Sequence, residues 1–414
     1  MSSQSSALST APMVPFSPSA NTWTRFISTF EPSEYTDWID ESVSWKATCY
    51  IGDWSPLLKI RVRGPEAKAF FEYLSTNHWP NFSPLQAKQA IFCRDDGKIM
   101  GEGVVMMLGE DDFIFTSVPG VVWALYQFHQ GSRKFNATIE VVSDKWYLFQ
   151  VQGPKSIMLM TELTTDRTIR DLKFMHAKET SIWKSHEFLC LRSGVSGEAG
   201  FELWGPAETG QAVYSAIVKC GKKHGIRQLG SRAKPVNHAE GAFPTPALDF
   251  LPAVHGDDEV LASYRKFALD SGLAVESFMF FQAAGSHGSD PTAHHRTPFD
   301  LGWGWLVNFD HDFIGKDALR RIADDPPNKL VSLEWNDEDV ADTYASLFRK
   351  ESYEYMEMPR EAGGALKGSS VYVDGEVVVK WGAEGSPQKM IRAIVKPAPY
   401  KEDQRKKAWL TILA

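Results

Sequence analysis

Hydrophobic and polar positions alternate with the period of a strand over 57–62, where Leu58, Ile60 and Val62 oppose Lys59 and Arg61. Past Gly64-Pro65 the period lengthens, and Ala67, Phe70, Phe71 and Leu74 fall on one face of a helix expected over 66–75. The same strand, GP turn and helix recur at 148–151, Gly153-Pro154 and a run through Leu163. RVRGPEAKAFF and QVQGPKSIMLM therefore read as imperfect internal copies. Two related halves of this kind place a site at their junction.

Between the copies, 99–105 and 113–116 read as strands and 121–135 as a helix. Residues 23–44 mix aromatics and acids without a clear period, and 47–51 is strand-like. Residues 209–224 form a helical stripe that Gly225 ends. Residues 235–252 read as a proline-rich loop, and 261–277 contains a helix. Residues 283–295 read as a surface insertion whose His287, His294 and His295 are solvated loop residues rather than metal ligands. After Asp324-Asp325-Pro326-Pro327, short alternating strands over 330–335, 371–373, 377–381 and 391–395 predict a small β domain. The expected units are a disordered tail over 1–21, a large region over 22–325 and the β domain over 328–414.

The most specific stretch is GVSGEAGFELWGP, residues 194–206. Its glycines allow tight turns, and Phe201-Glu202-Leu203-Trp204 then alternates as a strand, with Glu202 and Trp204 on one face. A carboxylate held there can accept paired N–H donors of a flat heterocycle while the tryptophan packs alongside. A solvated Glu beside a turn is the plainer alternative. GSRA, 230–233, places Arg232 after a helix and a glycine, where its guanidinium fork could clamp a carboxylate.

Composition narrows the partners. The 414-residue chain is 43% hydrophobic and 23% charged, with a net charge of -8, which favours small molecules over nucleic acid. No apolar run suits a bilayer, and neither a signal peptide nor an Arg-rich transit segment is recognisable, so the expectation is a cytoplasmic protein that binds neither nucleic acid nor membrane. Cys49, Cys93, Cys190 and Cys220 form no CxxC pair and read as reduced thiols.

The order of GPEAKAFFEYLSTN, VQGP, GVSGEAGFELWGP, GSRA, TPFDLGWGWLVNFDHDFIGKDAL and GSPQKMIRAIVKPAPY resembles the folate-binding superfamily of the glycine-cleavage T-protein. It is most similar to the superfamily's tetrahydrofolate-dependent aromatic O-demethylases of the vanillate and syringate type. The resemblance implies an α+β fold with ferredoxin-like halves and a small C-terminal β barrel. VYVDG runs directly into EVVVKWG at Gly375 and Glu376, where family members carry a longer segment, so the barrel is expected to be incomplete.

The implied cofactor is tetrahydrofolate. Glu202 stands where the superfamily holds the pterin, with Trp204 beside it, and Arg232 where an arginine faces the folate tail. Lys234 replaces a tyrosine that follows GSRA and is the expected catalytic group. Trp54 and Phe243 are candidates for the wall of the substrate site. The implied activity is methyl transfer from a methoxylated aromatic to tetrahydrofolate, with aminomethyl transfer or non-catalytic folate binding as alternatives. Gly101 occupies the place of the acid that aminomethyltransferases keep, and Glu102 beside it is expected on the opposite strand face.

Overall fold

The computed structural model describes residues 22–413 apart from 28, 274–275, 281–283, 286–287, 358–366, 369–370, 375 and 383–384. The expectations for the tail over 1–21, for His287 and for Gly375 lie outside the described residues.

A hairpin of β1 (Trp23–Phe26) and β2 (Thr29–Pro32) leads into α1 (Trp38–Ala47), where Asp37 caps the N-terminus by accepting from the Ile39 and Asp40 N–H groups. None of these three elements is visible in the hydrophobic pattern. β3 (Cys49–Asp53), β4 (Lys59–Arg63) and α2 (Ala67–Leu74) follow, then β5 (Ala87–Cys93), β6 (Ile99–Gly109) and β7 (Asp112–Thr116). After α3 (Pro119–Gln130) and β8 (Thr138–Val141) come β9 (Trp146–Gln152), α4 (Ser156–Thr164), β10 (Ala177–Ile182), β11 (His186–Arg192) and β12 (Gly200–Pro206). The large region continues through α5 (Ala207–Gly221), β13 (Ile226–Gln228), α6 (Ala233–Glu240) and α7 (Glu259–Asp270).

Two sheets carry the internal repeat. One has the order β5-β6-β7-β4-β8 and the other β10-β11-β12-β9-β3-β13. The repeated strands β4 and β9 hold corresponding interior places, each paired with the strand that closes its own half, β7 or β12. Both GP turns bend through a glycine at positive φ, +133° at Gly64 and +116° at Gly153, where a side chain would be strained.

Each sheet buries one face under its own helices. Ile60, Val62, Phe113 and Phe115 pack on α2 and α3, and Phe149, Val151, Phe201 and Leu203 pack on α4 and α5. The opposite faces share a third cluster, in which Met106 and Ile114 of the first sheet join Tyr50, Leu148, Leu191 and Trp204 of the second. This shared layer is the junction that the repeat predicts, and α6 enters it through Ala233.

The loop expected over 235–252 begins as α6, because Pro235 lies in the first turn, where a missing N–H leaves no helix bond unmade. His294 and His295 are buried rather than solvated, and His295 stacks on His255 with centroids 5.5 Å apart. Among the described residues the C-terminal strands form an open four-stranded antiparallel sheet, in the order Val331–Trp335, Lys389–Pro397, Glu376–Trp381, Val371–Asp374. The chain then returns to the large region, where Trp409 stacks on Phe201 at 5.4 Å. Among the described residues no helix is long and apolar enough to cross a membrane.

Candidate functional site

Strand alternation sends Phe201 and Leu203 into the helix-covered core and leaves Glu202 and Trp204 facing the shared layer. Glu202 is 3% exposed, so the solvated alternative does not hold. Its Oε1 accepts from Gln150 Nε2 at 3.1 Å and Ser193 Oγ at 3.2 Å, and its Oε2 from Trp204 Nε1 at 3.3 Å. Burial raises the carboxyl above its usual range, and these three donors oppose that rise. A carboxylate offers about four lone-pair positions, so Glu202 keeps room for a further donor.

The network extends to α6. Gln150 Oε1 accepts from Tyr50 OH at 3.2 Å, and Tyr50 OH accepts from Asn237 Nδ2 at 3.3 Å. Asn237 is fully buried, and its Oδ1 has no hydrogen-bond partner. A second acceptor, linked through two side chains to Glu202, therefore stands ready for a donor.

One turn before Asn237, Lys234 is 8% exposed. Its Nζ donates to Glu31 Oε2 at 2.5 Å and to the Asp53 carbonyl at 3.0 Å. It also lies 4.1 Å from the Phe26 ring centroid and 4.7 Å from that of Trp54. Glu31 and Phe26 come from the β1–β2 hairpin, so a segment without sequence signal supplies two of the partners of Lys234. Burial raises the Glu31 carboxyl, and the Lys234 ammonium opposes the rise. Asp53 lies against the same group. Its Oδ1 accepts from the Ser55 N–H at 2.8 Å, while its buried Oδ2 has no partner. Burial also pushes the nearby Lys59 ammonium down to about 7, although two carbonyls accept from it at 2.8 Å.

The indole of Trp54 occupies space that only glycine leaves, since a Cβ at Gly52 would come within 2.0 Å of it. From Trp54 a line of rings continues through His238 at 6.5 Å and Phe243 at 5.6 Å to Trp303 at 5.9 Å. Trp54 and Phe243 are thus joined by a histidine that the sequence reading passed over. Arg232 is placed differently: its Nη1 lies 3.1 Å from Glu34 Oε1, on the side of the hairpin and α1.

Gly101 and Glu102 separate as alternation requires. A Cβ at Gly101 would lie 2.4 Å from the Gly120 backbone of α3, so that face has no room for a carboxylate. Glu102 lies on the face of Val104 and Met106, which join the shared layer. The face opposite Gly101 is therefore the one that looks toward Glu202.

Gln89 Nε2 donates to Glu102 at 3.3 Å, and burial lifts this carboxyl to about 7. The folded chain then holds the Glu102 proton more tightly than the unfolded chain, whose carboxyl titrates near 4.5. Its contribution to stability is complete below that value and is lost as pH rises through about 7. Glu102→Gln is expected to reduce the fall in melting temperature between pH 5 and pH 8 by roughly 2 °C. An unchanged pH dependence in thermal unfolding would contradict this.

Two surface clefts, of about 380 and 360 Å³, lie elsewhere, lined by Trp335 and Arg392 and by Tyr73 and Phe313. Their walls carry none of the groups described above.

Comparison with known proteins bears on the fold and the family of the chain. The GCVT N-terminal domain family matches residues 18–261. A syringate O-demethylase from Sphingobium sp. is 33% identical over 361 residues, covering 84% of this chain and 75% of that protein. A sesamin methylene transferase from Sinomonas sp. is 28% identical, covering 92% of each. The glycine cleavage system aminomethyltransferase T of Bartonella henselae has the same fold, with a TM-score of 0.64 at 16% identity over 94% of this chain and 96% of that one. The chain therefore belongs to the GCVT family, whose one-carbon carrier is tetrahydrofolate.

Proposed function

We propose that this protein is a tetrahydrofolate-dependent O-demethylase that moves the methyl group of a methoxylated aromatic to the folate. The observation that carries the reading is α6, which presents Lys234 over Trp54 on one side and joins Glu202 through Asn237, Tyr50 and Gln150 on the other. A cation beside an aromatic wall and an acid suited to a pterin are thereby coupled through one turn of helix. The similarity to a syringate O-demethylase supports the same substrate class.

The residues fit the folate. Its pterin ring presents adjacent N–H donors, and Glu202 together with the unpartnered Asn237 Oδ1 offers matching acceptors. Trp204 supplies a flat neighbour, and Arg232 would take a tail carboxylate by exchanging Glu34. Glu202 is buried, and the β1–β2 hairpin covers Lys234 through Glu31 and Phe26.

When bound, tetrahydrofolate would supply a nucleophilic nitrogen, N5, as the methyl acceptor, with release of the N5 proton balancing the transfer. The methyl–oxygen bond breaks with its electron pair left on the aryl oxygen. Lys234, positioned by Glu31 and the Asp53 carbonyl, would stabilise that developing phenolate and hand it a proton, and would be reprotonated by the equivalent released on methyl transfer. Trp54 and Phe243 hold the arene ring, and enclosure excludes water that would weaken the charge stabilisation.

Purified protein given tetrahydrofolate and a panel of methoxyarenes is expected to form 5-methyltetrahydrofolate and a free phenol. Binding of tetrahydrofolate without product from any member would leave a folate-binding protein and defeat the enzyme reading.

A further inference from the structure

His238 lies one turn beyond Lys234 on α6, between Trp54, on which it stacks at an interplanar angle of 25°, and Phe243, which meets it edge-on. Its Nδ1 is 2.7 Å from Thr245 Oγ1, and that hydroxyl donates to the Phe243 carbonyl at 3.3 Å. A carbonyl oxygen can only accept, and with the Thr245 proton donated there Oγ1 accepts from Nδ1–H. In that tautomer Nε2 carries a lone pair. That atom is shut away from solvent and has no hydrogen-bond partner. Buried polar atoms left in this state call for an explanation, and a missing ligand is one. Desolvation, reinforced by the neighbouring Lys234 charge, holds the imidazole neutral by lowering its pKa to about 4.

We propose that His238 Nε2 is the hydroxyl acceptor of the substrate site, so that the protein selects methoxyarenes that also carry a phenolic O–H donor. This rests on the O-demethylase reading and adds to it a residue and a selection rule. A fully methylated arene of the same shape would fill the aromatic wall but leave Nε2 unpaired. It would also bring its own ether oxygen against a lone pair.

Guaiacol and 1,2-dimethoxybenzene differ by one methyl group in place of that proton, and quenching of tryptophan fluorescence measures the binding of each with and without tetrahydrofolate. The wild-type protein is expected to bind guaiacol about ten- to a hundredfold more tightly. His238→Phe keeps an aromatic ring between Trp54 and Phe243 and is expected to abolish the preference, while His238→Gln retains an acceptor and part of it. Unchanged tetrahydrofolate affinity in both variants shows that the layer remains folded. Thr245→Val, which releases the tautomer without touching the ring, is expected to weaken the preference and serves should His238→Phe fail to fold.

Equal affinity of the wild-type protein for the two ethers, or a preference that survives in His238→Phe, would overturn the inference. Preferential guaiacol binding without demethylation of either ether would leave it standing and defeat the methyl-transfer reading. Demethylation of both with equal affinity would do the reverse.

Discussion

Replacing Glu202 by Gln is expected to weaken tetrahydrofolate binding about a hundredfold while the protein stays folded. The size follows from the loss of charge-assisted hydrogen bonds to paired N–H donors, each worth about 1.5–3 kcal/mol. Retention of the fold follows from burial, which already works against the Glu202 charge, so a neutral amide of the same shape relieves that strain. One oxygen also remains to accept from the Gln150, Ser193 or Trp204 donors that surround the site. Titration calorimetry with tetrahydrofolate, paired with a melting curve, measures both quantities. An unchanged dissociation constant would remove Glu202 from the site.

The second large effect concerns the Lys234–Glu31 pair. Both side chains are almost fully buried and bond to each other at 2.5 Å. Lys234→Met strands the Glu31 carboxylate in an enclosed place, which costs about 3–5 kcal/mol, and Glu31→Leu strands the ammonium at comparable cost. The double variant removes both charges and is expected to recover most of the loss, since an apolar pair of similar volume escapes desolvation altogether. Denaturant unfolding of the four proteins gives the coupling, expected to exceed about 2 kcal/mol.

Turnover should behave differently. It is expected to fall about 10²- to 10⁴-fold in Lys234→Met and to remain low in the stable double variant, because the phenolate has lost its proton donor. Recovered turnover in the double variant would reduce Lys234 to a structural residue. Lys234→Tyr restores a hydroxyl that can donate to Glu31, and it is expected to keep more activity than Lys234→Ala.

How much of this was legible in the chain depended on how far each signal reaches. Glu202 and Trp204 could be placed on one strand face because period-two alternation is local, and the repeated GP turns needed only the glycines at 64 and 153. The aromatic neighbourhood of Trp54 was harder to see. Gly52, which makes room for the indole, sits two residues away, but His238 and Phe243 arrive from nearly two hundred residues downstream.

The hairpin over 23–32 and helix α1 were missed for a related reason. Glu31 and Phe26 are held by Lys234, and Glu41 of α1 is held by the backbone N–H groups of Tyr35, Thr36 and Gly230, so their order comes largely from contacts absent from the local pattern. Pro235 disguised α6 as loop, although a proline in the first turn is compatible with a helix. Glu102 was assigned correctly to the face opposite Gly101. Only the packing of α3 against Gly101 shows that this face is the inner one.

Beyond the C-terminal sheet the chain folds back onto the large region. Lys401 bonds Glu198 at 3.0 Å, and Glu240, at the end of α6, accepts from Trp45 Nε1 at 2.8 Å and lies 3.5 Å from Lys401. The C-terminal segment thus helps to seat the helix that carries Lys234, Asn237 and His238.

The most direct measurement follows the methyl group itself. Guaiacol labelled with ¹³C in its methoxy group is incubated with the protein and tetrahydrofolate, and the products are followed by NMR. The expected result is ¹³C at the N5 methyl of the folate, matched one for one by catechol and lost in Lys234→Ala. Label that leaves as methanol or formaldehyde, or that stays in guaiacol and in every other labelled methoxyarene of the panel while tetrahydrofolate is bound, would contradict methyl transfer to folate.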